Sequence, residues 1–175
     1  MIENRIAGML FSYPFGFIPQ QLMKTNIMIY KYLYIIGIDT GVNTGVATWN
    51  VIGRRFDFIK TVSIHKAMMY VMQMYDTYGS SVYVRIEDAR LRTWYQSNDK
   101  TRDEERKMLQ GIGSVKRDAK IWEDFLKDMG IPFEMTHPKS GRTKVNDTEF
   151  RRITKYSKRT SEHARDAAML VFKWK

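Results

Sequence analysis

The chain has 175 residues, with 29 Lys and Arg, 19 Asp and Glu, and no cysteine, which gives a formal net charge of +10. A chain of this length usually folds as one domain and needs no staple to hold its core together. The lack of cysteine excludes a disulfide framework, a Cys-ligated zinc site, an iron–sulfur cluster and a thiol nucleophile, and it fits a reducing compartment such as the cytoplasm. The excess of positive charge predicts a polyanionic partner, either nucleic acid or an anionic membrane.

Residues 1–27 do not have the pattern of a compact element. The apolar stretch from Ala7 to Ile18 is interrupted by Pro14, and it is shorter than the roughly 20 apolar residues that a bilayer requires. We therefore expect an N-terminal extension of unknown role over residues 1–27, followed by a single domain over residues 28–175.

The domain shows the element order βββαβαβαα. Short apolar runs bounded by turns predict strands at 32–39, 45–52, 56–62, 82–87 and 131–135. Apolar residues at every third or fourth position predict helices at about 64–78, 103–129, 147–156 and 161–172. The second helix is expected to be broken near Gly111 and Gly113. This order predicts an α/β fold with a mixed five-stranded sheet and helices on both faces.

The positive charge is concentrated in the second half of the chain. Residues 90–175 hold 21 basic and 13 acidic side chains, and residues 139–159 alone hold 8 basic and 2 acidic ones. A membrane-binding helix would need bulky apolar residues opposite this charge, and this segment offers mainly Val145, Phe150 and Ile153. Nucleic acid is therefore the expected partner and no membrane is expected, although a solvated basic face without any partner is the alternative.

Three acidic residues and a histidine occupy element ends where they could meet. Asp39 ends the first predicted strand, Glu87 ends the fourth, and His163 and Asp166 share one face of the last helix. If the first and fourth strands are neighbours, Asp39 and Glu87 lie together opposite that face. Crowded carboxylates require a cation, and hard oxygen ligands suit Mg²⁺, for which Mn²⁺ can substitute. Such a site beside a basic groove predicts two-metal phosphodiester cleavage.

Three motifs in this order resemble the RuvC-type Holliday-junction resolvases, and especially those of bacteriophages. They are IGIDTGVNTGVATW, YVRIEDAR and SEHARDAAMLV, and the resemblance runs from about residue 32 to residue 172. It implies a ribonuclease H-like fold and Mg²⁺-dependent cutting of branched DNA by a homodimer, with no small-molecule cofactor. For a bacteriophage protein, the implied compartment is the cytoplasm of the bacterial host.

The resemblance also implies roles for the site residues. Asp39, Glu87, His163 and Asp166 would be the catalytic set and the metal ligands. Asp39 would bridge two ions, Glu87 would hold the ion that orients the attacking water, and Asp166 would hold the ion near the leaving 3′ oxygen. His163 stands where some members have Asp, so it would be a ligand or lie beside the attacking water.

Two segments are expected to contact nucleic acid. The loop after the fourth strand mixes cations with aromatic rings that could stack on bases, or could simply pack the loop onto the domain. The second is the basic segment 139–159, in which Arg142 or Lys144, just before the last two helices, could neutralise the scissile phosphate or could bind the backbone alone. The candidates are Arg90, Arg92, Trp94, Tyr95, Arg142, Lys144, Arg151 and Lys155.

Other functions remain open on the sequence alone. The same carboxylates would serve a nuclease that cuts RNA–DNA hybrids or structured RNA. A catalytically inactive module that binds branched DNA is a further alternative. An ATP-binding protein of the actin and sugar-kinase type is disfavoured, because such proteins need two lobes and a second phosphate motif.

Overall fold

A computed structural model describes residues 30–91, 101–138 and 144–174. The chain divides into two units, Met1–Lys31 and Tyr32–Lys175, and every strand and helix described below lies in the second. Among the described residues, no helix combines the length and the apolar character needed to cross a membrane.

Five strands form one mixed sheet in the order β3-β2-β1-β4-β5. β1 (Tyr34–Asp39), β2 (Asn43–Asn50) and β3 (Arg55–Ser63) form an antiparallel meander. β4 (Val82–Glu87) runs parallel to β1, and β5 (Phe133–Thr136) runs parallel to β4. The predicted α/β class and the five-stranded mixed sheet are therefore confirmed, and β1 and β4 are neighbours.

Helices cover both faces of the sheet, as predicted. The chain forms α1 (Ile64–Tyr78), α2 (Arg102–Asp128), α3 (Asp147–Thr154) and α4 (Glu162–Val171). Successive strand residues point to opposite faces, and two neighbours on β2 show which helix lies on which face. Thr48 Oγ1 lies 2.7 Å from the hydroxyl of Tyr70 on α1, whereas Ala47 belongs to the apolar core formed with α4.

The expected break in the second helix is wrong, because α2 continues without interruption through Gly111 and Gly113. A glycine inside a helix costs only about 1 kcal/mol relative to alanine, and strong start signals favour this helix. The Thr101 side chain accepts a hydrogen bond from the Glu104 N–H while Glu104 bonds back to Thr101, which forms a capping box.

α4 packs unusually close to the sheet. A Cβ at Gly37 of β1 would lie 3.0 Å from the carbonyl carbon of Ala167, and a Cβ at Gly45 of β2 would lie 2.5 Å from that of His163. Three alanines are buried on the helix face toward the sheet, namely Ala164, Ala167 and Ala168. Small residues on both surfaces thus allow backbone to approach backbone, which brings the start of α4 onto the end of β1.

Candidate active site

The ends of β1 and β4 place Asp39 and Glu87 on the same face of the sheet. The parallel pairing aligns Ile38 with Ile86, so the next residues, Asp39 and Glu87, leave the sheet at the same edge. Gly37 lies under α4, and Arg85 donates a hydrogen bond to the Leu170 carbonyl of α4. Because residues two apart on a strand share a face, Asp39 and Glu87 also lie on the α4 side.

The first turn of α4 brings His163 to Asp39. Ser161 caps this helix by accepting a hydrogen bond from the Ala164 N–H at 3.3 Å, and Thr61 on β3 contacts the Ser161 hydroxyl. His163 Nδ1 then lies 2.8 Å from Asp39 Oδ2, across 124 positions of sequence. The contact joins the end of the first strand to the last helix.

Asp39 carries its charge in an unfavourable place. Its side chain is only 14% exposed. Burial raises the pKa of Asp39, and the charge of Asp166 raises it further. The hydrogen bond and charge of His163 lower it, as does the charge of Lys144, but the net direction is upward. The effect of Asp166 shows that the two carboxylates interact electrostatically.

Lys144 supplies the positive charge beside Asp166. Its Nζ lies 3.1 Å from Asp166 Oδ2 and also bonds to Glu162. Burial lowers the pKa of Lys144, but hydrogen bonds to the two carboxylates raise it, and the net direction is upward. Arg165 donates to the carbonyl of Val145 at 3.1 Å, which fixes the backbone next to Lys144.

The structure brings Asp39, His163 and Asp166 to one edge, with Glu87 at the end of the adjacent strand. Within residues 30–91, 101–138 and 144–174, no three His, Asp or Glu side chains are arranged closely enough to hold a metal ion together. Asp39 is hydrogen-bonded to His163 and Asp166 is paired with Lys144. Carboxylates are nonetheless the donors that suit Mg²⁺ and Mn²⁺, whereas an imidazole suits softer divalent metals. The three carboxylates therefore fit such an ion in their chemistry, provided that Asp39 and Asp166 exchange their present partners.

Arg90 was expected to contact nucleic acid, but its guanidinium is engaged within the fold. Its Nε and Nη2 donate to Asp88 at 2.8 and 2.7 Å, and its Nη1 donates to Glu123 of α2 at 2.6 Å. Hydrogen bonding to Asp88 and then to Glu123 raises the pKa of Arg90, so its charge is fixed. Lys127 and Arg90 together lower the pKa of Glu123 to about 2.

The other candidates for nucleic-acid contact have different surroundings. Arg151 pairs with Asp147 at 2.9 Å along the exposed face of α3. Lys155 follows α3 in the left-handed conformation, with φ of 60°, and is exposed. The remaining candidates, Arg92, Trp94, Tyr95 and Arg142, lie outside the described residues.

Sequence reasoning missed the residues that position the site. Gly37 and Gly45 lie inside strands, where a glycine often marks a close backbone approach, and that signal was available. Glu123 gave no such signal, because an acidic residue on a long polar helix is ordinary.

A scan of protein-family models gave no match for this chain, and a search of curated proteins gave no significant match. The geometry and the charge of the site are therefore the basis for a proposal about its function.

Proposed function

We propose that this chain is a metal-dependent nuclease of the ribonuclease H-like class. The observation that carries the proposal is the hydrogen bond between Asp39, at the end of the first strand, and His163, at the start of the last helix. Glu87 ends the neighbouring parallel strand on the same face, and Asp166 lies one helical turn after His163. Acidic residues from three elements that meet at one edge of the sheet could hold the ions that assist phosphodiester hydrolysis.

Within that class, we propose that the substrate is branched DNA, as in the RuvC-type resolvases that the three motifs resemble. The basic segment supports a polyanionic substrate, since Lys155, Lys158 and Arg159 are all exposed. Their side chains form no ion pair within the described part of the chain. Arg159 precedes the helix cap Ser161 by two positions, so this free charge lies close in sequence to the site. We also propose a homodimer, which would suit a substrate with two equivalent strands to cut.

Asp39, Glu87, His163 and Asp166 are the residues that would hold Mg²⁺. Bound there, the ion would lower the pKa of a water molecule and stabilise the charge that develops on the phosphate oxygens. The chain's own contribution is positional. Packing of α4 on Gly37 and Gly45 holds His163 and Asp166 over Asp39, and the His163 hydrogen bond orients the Asp39 carboxylate.

The decisive experiment is cleavage of a labelled four-way junction in Mg²⁺, beside linear duplex and an RNA–DNA hybrid. We expect paired, symmetric nicks in the junction only. Asp166→Asn should abolish cutting while it preserves the side chain's size. Glu162→Gln is the matched control, because Glu162 also contacts Lys144 from α4 but lies outside the proposed ligand set, and this variant should cut like the wild type.

Other outcomes would redirect the assignment. Cutting of the hybrid alone would keep the metal chemistry and change the substrate to RNA. Junction binding without any cutting would favour an inactive binding module and contradict the catalytic roles given to the four residues. Equal loss of activity in Asp166→Asn and Glu162→Gln would contradict a specific role for Asp166.

A further inference from the structure

We propose that Arg90 is a positioning residue that clamps the end of β4, and with it Glu87, and that it does not bind DNA phosphates. The catalytic part of this inference rests on the proposed function. Arg90 lies three residues after Glu87, in the 3-10 turn Ala89–Leu91 that continues directly from the strand. It links that turn to α2, which is remote in sequence.

The clamp is built around a buried carboxylate. Asp88 follows Glu87 and is only 3% exposed. Both of its oxygens accept hydrogen bonds from the Arg90 side chain, and Oδ1 also accepts the Arg90 backbone N–H at 3.0 Å. The third side-chain bond of Arg90 reaches Glu123, which lies 33 positions further along the chain. One guanidinium therefore ties the strand exit to α2.

The neighbouring strands hold the same short segment in place. The Asp88 N–H donates to the Thr136 carbonyl of β5 at 2.8 Å, and the Thr40 hydroxyl, just after β1, donates to the Glu87 carbonyl at 3.3 Å. Without Arg90, Asp88 would be a buried carboxylate with no cation beside it, so it would have to move toward water or take up a proton. If Asp88 moves toward water, the bond between its backbone N–H and β5 is strained, and we expect the adjacent Glu87 to move with it.

A role in phosphate binding does not suit this arrangement. Arg90 already faces two carboxylates, and Lys127 contacts the same Glu123 at 2.6 Å. The charge of Arg90 is thus balanced inside the protein, and a phosphate could engage the same donors only by displacing buried Asp88. An exposed cation with no ion pair in the described residues, such as Lys155, is a better phosphate contact.

Four variants separate the two roles: Arg90→Gln, Arg90→Lys, Glu123→Gln and, as the control, Lys155→Gln. Each is measured for the junction cleavage rate at saturating DNA, for the salt dependence of junction binding, and for hydrogen–deuterium exchange of the peptide that spans residues 84–91. Glu123→Gln is the sharpest variant, because it removes a negative charge. Removing a negative charge should leave the binding of DNA unchanged or make it stronger. The same substitution weakens the contact between Arg90 and α2, and so it opens the clamp.

For a clamp, we expect Arg90→Gln, Arg90→Lys and Glu123→Gln each to lower the cleavage rate by roughly 10–100-fold, the usual effect of losing a residue that orients a ligand. The salt slope, which is the slope of the logarithm of the binding constant against the logarithm of the salt concentration, should match that of the wild type. Hydrogen–deuterium exchange at residues 84–91 should be faster than in the wild type. A lysine cannot restore the clamp, since its single ammonium cannot reproduce the two-pronged contact with Asp88. Lys155→Gln should reduce the salt slope by about 0.9, the value of one phosphate contact, with unchanged exchange.

The opposite pattern would overturn the clamp. It consists of a salt slope reduced by about 0.9 in Arg90→Gln, full rescue by Arg90→Lys, and normal cleavage by Glu123→Gln. A wild-type chain that binds the junction without cutting it would overturn the proposed function instead. In that case the exchange measurement still decides the structural claim, because unchanged exchange in both Arg90→Gln and Glu123→Gln would refute it.

Discussion

Replacing Gly45 with alanine should damage the fold and the site together. The new Cβ would lie 2.5 Å from the carbonyl carbon of His163 and 3.1 Å from the backbone nitrogen of Ala164. Carbon atoms in contact normally lie about 3.5–4.0 Å apart. The obstructing atoms are backbone, so no side-chain rotation can relieve the overlap, and the start of α4 must retreat from β2 by about 1 Å.

The size of both effects follows from that displacement. Overpacking of this kind costs about 1–3 kcal/mol of the free energy of unfolding. For a chain of this size each kcal/mol lowers Tm by roughly 2–4 °C, so we expect a fall of about 2–12 °C. The bond between His163 Nδ1 and Asp39 Oδ2, now 2.8 Å long, would be stretched beyond hydrogen-bonding distance. A misplacement of about 1 Å at an active site can lower the rate on the order of 100-fold.

Gly111→Ala is the matched control, because an added Cβ there meets no atom within 4 Å. Gly111 lies in the middle of α2, where alanine is favoured over glycine by about 0.5–1 kcal/mol. This variant should therefore melt at a higher temperature than the wild type and cut at the same rate. The same substitution thus has opposite signs at the two positions, measured by thermal unfolding and by junction cleavage.

Gly45→Ala with a Tm within about 1 °C of the wild type and a normal cleavage rate would refute the close-approach argument. A destabilised variant that still cuts normally would refute only the link between the His163–Asp39 contact and catalysis. The two measurements thus test separate steps of the reasoning.

Two further predictions concern charge at the site. Lys144→Met should tighten Mn²⁺ binding by up to about fivefold, measured by calorimetry, because the half-exposed ion pair between Lys144 and Asp166 is worth about 1 kcal/mol at most. Weaker binding of Mn²⁺ by the variant would contradict competition between Lys144 and the ion for Asp166. Asp39→Asn should raise the Tm of the metal-free protein at pH 7. The pKa of Asp39 is raised in the folded state above its ordinary value of 3.8. The folded state therefore holds the Asp39 proton more tightly than the unfolded state does, and this contribution to the free energy of unfolding, fully present below pH 3.8, is lost as the pH rises through the folded-state pKa. The asparagine variant should lack this loss and any stabilisation by Mn²⁺, and a Tm lower than that of the wild type without metal would contradict the argument.

Much of the fold could be predicted because local signals and tertiary structure agree. β4 spans Val82–Glu87, the same residues that its short apolar run predicted. α1 begins after Ser63 and ends at Gly79, whose φ of 56° is a conformation that glycine adopts easily. The predicted strand boundaries placed Asp39 and Glu87 at the ends of their strands. For that reason the two residues could be proposed as neighbours before the sheet order was known.

The choice of partner for each charged residue could not be predicted. Arg90 and Lys144 were both expected to bind nucleic acid, and in the fold both contact carboxylates. Sequence shows that a cation is present, but the partner depends on which acidic residue the tertiary structure brings near. Arg90 has one acidic partner nearby in sequence, Asp88, and a second, Glu123, 33 positions away on a helix whose continuity was itself predicted wrongly.

The burial of Asp39 connects stability with function. A carboxylate that is largely removed from water and influenced by a second carboxylate, Asp166, raises the free energy of the folded state. His163 and Lys144 offset part of this cost, but the pKa of Asp39 remains raised. Conflicts of this kind between a residue and its surroundings concentrate at functional sites, where a ligand supplies the missing interaction. A divalent cation bound by these carboxylates would supply it and, because it binds only the folded chain, would also stabilise the fold. Asp39, whose burial destabilises the metal-free site, is therefore expected to contribute to metal binding.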